Sequence, residues 1–196
     1  MNKYIPKNIL KIENFVHLLP GVTINLIGMW LSHTFILPVR LNCIGTMYTS
    51  CMFGPIGGIS TAIITILLAS ITDRMLISYL FQTIVIGALC GMFYTHKEHQ
   101  VVELVYFSFI LCFTGTLLAL PFNLFLRHGH CGNIWGDALF DLMEERRIPV
   151  IVNSILGEFL VEFPDMMLSV FLATGCHTLR KRLSSHTIAN DKENES

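Results

Sequence analysis

Long apolar runs separated by short polar breaks dominate the chain, and their lengths are those of membrane-embedded helices. The first run extends over 15–37 and contains Pro20 and Gly21. After "LPVR" a short run covers 41–53 and ends at "GPIGG", and a third covers 56–72 and ends at "TDR". Longer runs follow at 75–95, 101–126 and 148–182, the last reaching "LRKR". The pattern predicts an all-α integral membrane bundle of six helices. The second and third fall below the ~20 residues that a perpendicular span needs. They therefore predict a broken hairpin, tolerated where other helices bury it or where it faces a cavity.

The stretch between the fifth and sixth runs breaks this rhythm. In "NIWGDALFDLMEERR", Ile134, Trp135, Leu139 and Leu142 recur at helical spacing and acids fill the other side. That pattern predicts a short helix lying at the interface or capping the bundle. The chain divides into an N-terminal segment (1–14), a six-helix membrane domain (15–183) and a polar tail (184–196) expected to be disordered.

Composition sharpens the class. Charged residues make up 14% of the chain, against roughly 25% in soluble domains, and the mean hydropathy is +0.59. Membrane lipid is the expected surrounding. The net charge of −1 offers no basic field for nucleic acid. The six cysteines are scattered, with no CxxC pair, so neither a disulfide framework nor a zinc knuckle is signalled. The N-terminus lacks the apolar core and cleavage site of a signal peptide, so the first run is expected to stay as a helix. With six spans, the side of the termini carries Lys3, Lys7, Lys11, Lys97, Arg180, Lys181, Arg182 and Lys192. The other side carries Arg40, Arg74, Arg127, Arg146 and Arg147. That bias predicts a multi-pass cell-membrane protein with cytoplasmic termini.

The candidate chemistry begins in the last run. Ser154, Glu158, Glu162, Asp165 and Ser169 are spaced to form one stripe on a helix. A charged acid at the centre of a membrane helix costs about 2.5–3.5 kcal/mol, so the stripe is expected to turn inward as the polar wall of a cavity. The alternative is a helix that starts near Met166 and leaves the acids in water, a reading that Pro164 favours. Arg40 and Asn42 sit between two apolar runs; they contact a ligand, pair with the acidic stripe, or simply snorkel at the interface. Gly54 with Gly58, and Gly87 with Gly91, have GxxxG spacing and serve either packing within the chain or docking on another subunit. Asn25 in the first run is an expected interhelical hydrogen-bonder. The "HKEH" and "HGHC" stretches lack the paired spacing of a metal site. No GxSxG, Walker loop or triad pattern is present. The expectation is a protein that is not an enzyme and carries no metal or cofactor. Uphill transport would draw its energy from a partner or an ion gradient.

Two stretches resemble a known family. "LPVRLNCIGTMYTSCMFGPIGGIS" is similar to an early segment of the substrate-binding (S) components of energy-coupling factor transporters, and "VNSILGEFLVEFPDMMLSVFLA" is similar to their last helix. The resemblance covers most of 15–183. It implies a subunit that captures a vitamin or similar micronutrient, then joins a transmembrane coupling subunit and two cytosolic ATPases. Under it, Arg40, Asn42, Asn153, Glu158, Glu162 and Asp165 are the expected substrate-binding residues. Gly21 and Gly28, seven apart on the first helix, are the expected docking residues. The chain departs from the family pattern in three places. It lacks an alanine pair near those glycines, has Asn42 where Asp is frequent, and has Thr65 between Ile64 and Ile66 where Asn is frequent. A multi-span sensory domain acting with a separate effector is the rival reading; an intramembrane enzyme lacks a complete set of groups.

Overall fold

The computed structural model describes residues 16–94 and 100–194. Among these the chain is entirely helical: α1 (Leu19–Thr34), α2 (Ile44–Ala69), a 3-10 turn (Arg74–Tyr79), α3 (Leu80–Tyr94), α4 (Val101–Leu126), α5 (Ile134–Glu145) and α6 (Val150–Asn194). The described residues therefore form an all-α bundle of six helices. By length and composition alone, Ile44–Ala69, Arg74–Tyr94 and Val101–Leu126 are long and apolar enough to cross a membrane, which supports a membrane protein, although the first of them is bent back on itself.

The segment α2 is two helices joined at a sharp bend. Gly54 has φ 73° and ψ −164°, a region of backbone space that is essentially glycine-only. The amide of Asn25 donates to Thr46 Oγ1 (2.9 Å) and to Thr65 Oγ1 (3.2 Å). In a straight helix those two threonines would lie about 28 Å apart at 1.5 Å per residue. Contact with one side chain requires α2 to fold back at Gly54–Pro55 into halves 44–53 and 55–69. This is the hairpin that the two short apolar runs predict.

Glycines let the hairpin seat against both neighbours. Gly58 lies against the Gly87 backbone and Gly91 against Gly54 and Pro55, so the two GxxxG pairs pack on each other inside the molecule. On the other side Gly21 meets Gly45 and Thr49, and Gly28 meets Leu41. Gly21 and Gly28, expected to dock a partner, are thus buried against this chain's own backbone. Their small size serves the fit of α1 onto the hairpin. Asn25 completes that joint by accepting from Gly45 N–H.

An apolar core of Met47, Ile86, Leu111, Met166 and Val170 sits between the hairpin, α3, α4 and α6. Large apolar side chains such as Phe109, Phe113 and Leu117 face outward from α4, as they do in lipid rather than water. The α6 helix continues to Asn194, through the tail expected to be disordered. No glycine or proline follows Gly175, so nothing in that polar sequence stops the helix. The N-terminal segment 1–14, with Lys97, His96 and His99, lies outside the described residues.

Candidate functional site

Loops 35–43, 70–79 and 127–133 and helix α5 gather at one end of the bundle, tied by hydrogen bonds across long sequence separations. Trp135 Nε1 donates to Ile36 O (2.8 Å), and Asn133 Nδ2 donates to Leu37 O (3.3 Å). Tyr79 donates to Cys131 O (3.2 Å). Ile36 and Leu41 bracket the 35–43 loop with positive φ, and Ser32 holds it by donating to Val39 O.

Arg40 reaches down from this loop into the acidic stripe of α6. Its guanidinium donates to both oxygens of Glu158 (2.5 and 2.8 Å), to Glu162 Oε2 (3.0 Å) and to Cys131 O (3.2 Å). Side-chain exposure is 1% for Glu158 and 2% for Glu162, and Asp165 is 0% exposed. The inward orientation follows from the sequence spacing, and a helix beginning near Met166 is excluded because α6 starts at Val150 and runs through Pro164. Burial of these carboxyls is affordable only because each is hydrogen-bonded. Glu158 also accepts from Asn123 (2.9 Å), Glu162 from Gln82 (3.0 Å), and Asp165 from the backbone N–H of Leu41 (2.7 Å). Asn123 in turn accepts from the Tyr79 hydroxyl (2.7 Å). The result is one network from α6 through α4 and α3 to the loop end. Asp165 Oδ2, Ser154 Oγ and Ser169 Oγ have no hydrogen-bond partner among the described residues.

Above the network lies an open cavity of about 160 Å³, lined by Arg40, Asn42, Tyr79, Gln82, Arg127 and Asn133 among others. Of the residues expected to bind substrate, Arg40 and Asn42 line it. Glu158, Glu162 and Asp165 do not line it: Glu158 and Glu162 meet the lining through Arg40 and Gln82, and Asp165 is held by the Leu41 backbone. Asn153 is buried near the start of α6, donating to Ile148 O (3.2 Å), and is not part of the lining.

Sequence reasoning did not single out Tyr79, Gln82, Asn123 or Arg127. Gln82 and Asn123 carried a readable signal, since each is an uncharged polar residue inside a membrane-length apolar run. Two guanidinium groups lie near the Tyr79 ring, Arg40 at 5.6 Å and Arg127 at 5.8 Å from its centre.

The "HGHC" stretch does different work. His130 Nε2 meets Asp141 (3.0 Å) and its ring lies 4.4 Å from that of Phe140. Asp137 accepts from the backbone N–H of Cys131 (2.7 Å) and Gly132 (3.1 Å). These contacts fasten the loop to α5. No group of three His, Cys, Asp or Glu able to hold a metal occurs among the described residues. Comparison of the chain with models of protein families, with curated proteins and with solved structures returned no match.

Proposed function

We propose that the chain is a membrane-embedded solute-binding subunit of the energy-coupling factor type, which captures a vitamin or similar micronutrient for uptake driven by partner subunits. One observation carries the reading. A charged seam turned into the bundle is locked by Arg40 beneath a cavity that three loops surround. Buried charge of this kind is costly in a membrane protein and marks substrate or ion pathways. The cavity-bearing end is the one opposite the start of α1, where Arg180, Lys181 and Arg182 also follow the last span. With the termini in the cytoplasm, the cavity opens outward and the chain sits in the cell membrane as a multi-pass protein. Energy comes from a transmembrane coupling subunit and two cytosolic ATPases, in keeping with the absence of a nucleotide-binding motif from this sequence.

The test is co-expression with a coupling subunit and its ATPase pair. The expected result is a complex that survives purification, and uptake of a labelled micronutrient that needs ATP hydrolysis. Failure of both association and uptake overturns the proposal.

A further inference from the structure

Two guanidinium groups reach the cavity, and they are not equivalent. Arg40 directs its hydrogen bonds away from the cavity, into Glu158, Glu162 and the Cys131 carbonyl. Arg127 has a single acidic partner among the described residues, Asp73 Oδ2 at 3.9 Å. That distance is at the limit of an ion pair, and the Asp73 side chain is 52% exposed, so water competes strongly for it.

The fold nevertheless holds Arg127 firmly in place. Its backbone N–H closes the last turn of α4 on Asn123 O. Its guanidinium lies over the Tyr79 ring. Gly132 has φ 77°, and a side chain there would run into the guanidinium. A planar, fixed and nearly unspent guanidinium is a receptor for a carboxylate or a phosphate, which it grips with two parallel hydrogen bonds.

We infer that the cavity selects a small organic anion, with Arg127 receiving its carboxylate or phosphate and Asn42 and His33 lining the same space. The inference rests on the solute-binding reading and adds the charge of the solute to it. The acidic seam does not oppose it, because Glu158, Glu162 and Asp165 are absent from the lining; Asp73, beside Arg127, is the one acid that lines the cavity among the described residues. Size restricts the solute further. About 160 Å³ is below the roughly 300–1,000 Å³ of pockets that hold drug-sized ligands.

Asp73 gives the inference a second sign. It competes for Arg127, so its neutralisation frees the guanidinium. Asp73 also accepts from Met75 N–H (2.9 Å) at the start of the 3-10 turn, a role that an asparagine oxygen fills equally well.

The purified full chain in detergent is incubated with a mixture of small carboxylates and phosphates and their neutral amides and alcohols, benzoate with benzamide among them. After washing, retained compounds are released and identified by mass spectrometry. The expected result is retention of anionic members, a loss of at least tenfold in Arg127→Gln, a smaller loss in Arg127→Lys, and a severalfold gain in Asp73→Asn. Whether carboxylates or phosphates are retained identifies the headgroup. Retention of neutral or cationic members in preference, retention of nothing, retention of phospholipid as the sole anion, or an Arg127→Gln variant that holds anions like the parent overturns the inference. A misfolded Arg127→Gln chain leaves the Asp73→Asn gain as the deciding measurement, and no gain overturns it. Anion retention in a chain that never associates with a coupling subunit removes the importer reading and leaves the anion site standing. Association with a neutral solute bound does the reverse.

Discussion

Replacing Arg40 by glutamine tests whether the seam is held by charge pairing. The substitution strips Glu158 Oε1 and Glu162 Oε2 of their partners, while Asn123 still donates to Glu158 Oε2 and Gln82 to Glu162 Oε1. An orphaned buried acceptor costs about 1–3 kcal/mol, so two cost about 2–6 kcal/mol. Breaking a buried ion pair by removing one partner independently gives about 3–5 kcal/mol. The Arg40 side chain is 18% exposed, so water reaches part of the gap and the lower end applies, about 3 kcal/mol. Unfolding of the purified protein in mixed micelles, titrated with a denaturing detergent, reads this loss. Adding Glu158→Gln to Arg40→Gln removes one stranded charge and restores about 1–2 kcal/mol, whereas Glu158→Gln alone destabilises. A loss below about 1 kcal/mol for Arg40→Gln, or simple additivity of the two changes, refutes the pairing argument.

Gly54→Ala forces a side chain into a glycine-only backbone region and is expected to cost about 1–3 kcal/mol in the same unfolding measurement; a neutral result would mean that the hairpin does not need the reversal. Burial is the largest single influence on the His130 imidazole and lowers its basicity, but the hydrogen bond to Asp141, the Arg127 carbonyl and the charges of Asp137 and Asp141 together outweigh it and raise the group above 6.5. Its protonation therefore stabilises the loop–α5 junction fully below pH 6.5, and the contribution fades as pH rises through the elevated folded value. His130→Asn is expected to flatten that slope in a pH series of thermal unfolding, and an unchanged slope refutes the assignment. Burial pushes the Cys131 thiol up to about 12, with Glu158 and Asp137 adding to it against the pull of Arg40. A maleimide at pH 7.5 is expected to label the exposed Cys176 well before Cys131, as read by peptide mass mapping; equal rates would show that the loop end opens readily.

The elements legible in advance were those with a local period. The spacing of Glu158, Glu162 and Asp165 puts them on one helical face, and the cost of charge in lipid turns that face inward. The two short apolar runs around "GPIGG" foretell a hairpin because neither half can span alone. Asn25, a lone amide in an apolar run, does bridge helices as expected. What the acids meet was legible only as a choice. Arg40 is 118 residues from Glu158, and no periodicity links such positions. Arg127 looked like an ordinary loop cation because its seat depends on Gly132 and Tyr79, which come together only in three dimensions. Gly21 and Gly28 pack against this chain's own backbone, and their sequence signal could not name the neighbour, since close helix packing demands small residues whether that neighbour is another chain or the same one.

The fold-back of α2 also bears on how the protein is made. Its halves rise only about 15–22 Å, short of the ~30 Å hydrocarbon layer, so neither can settle across the bilayer by itself. The segment needs α1, synthesised before it, to grip it through Asn25, and α3, synthesised after it, to cradle its tip at Gly91. In the finished fold the hairpin thus depends on both neighbours at once. The cavity end likewise depends on the last helix, since α6 supplies the carboxyls that Arg40 binds.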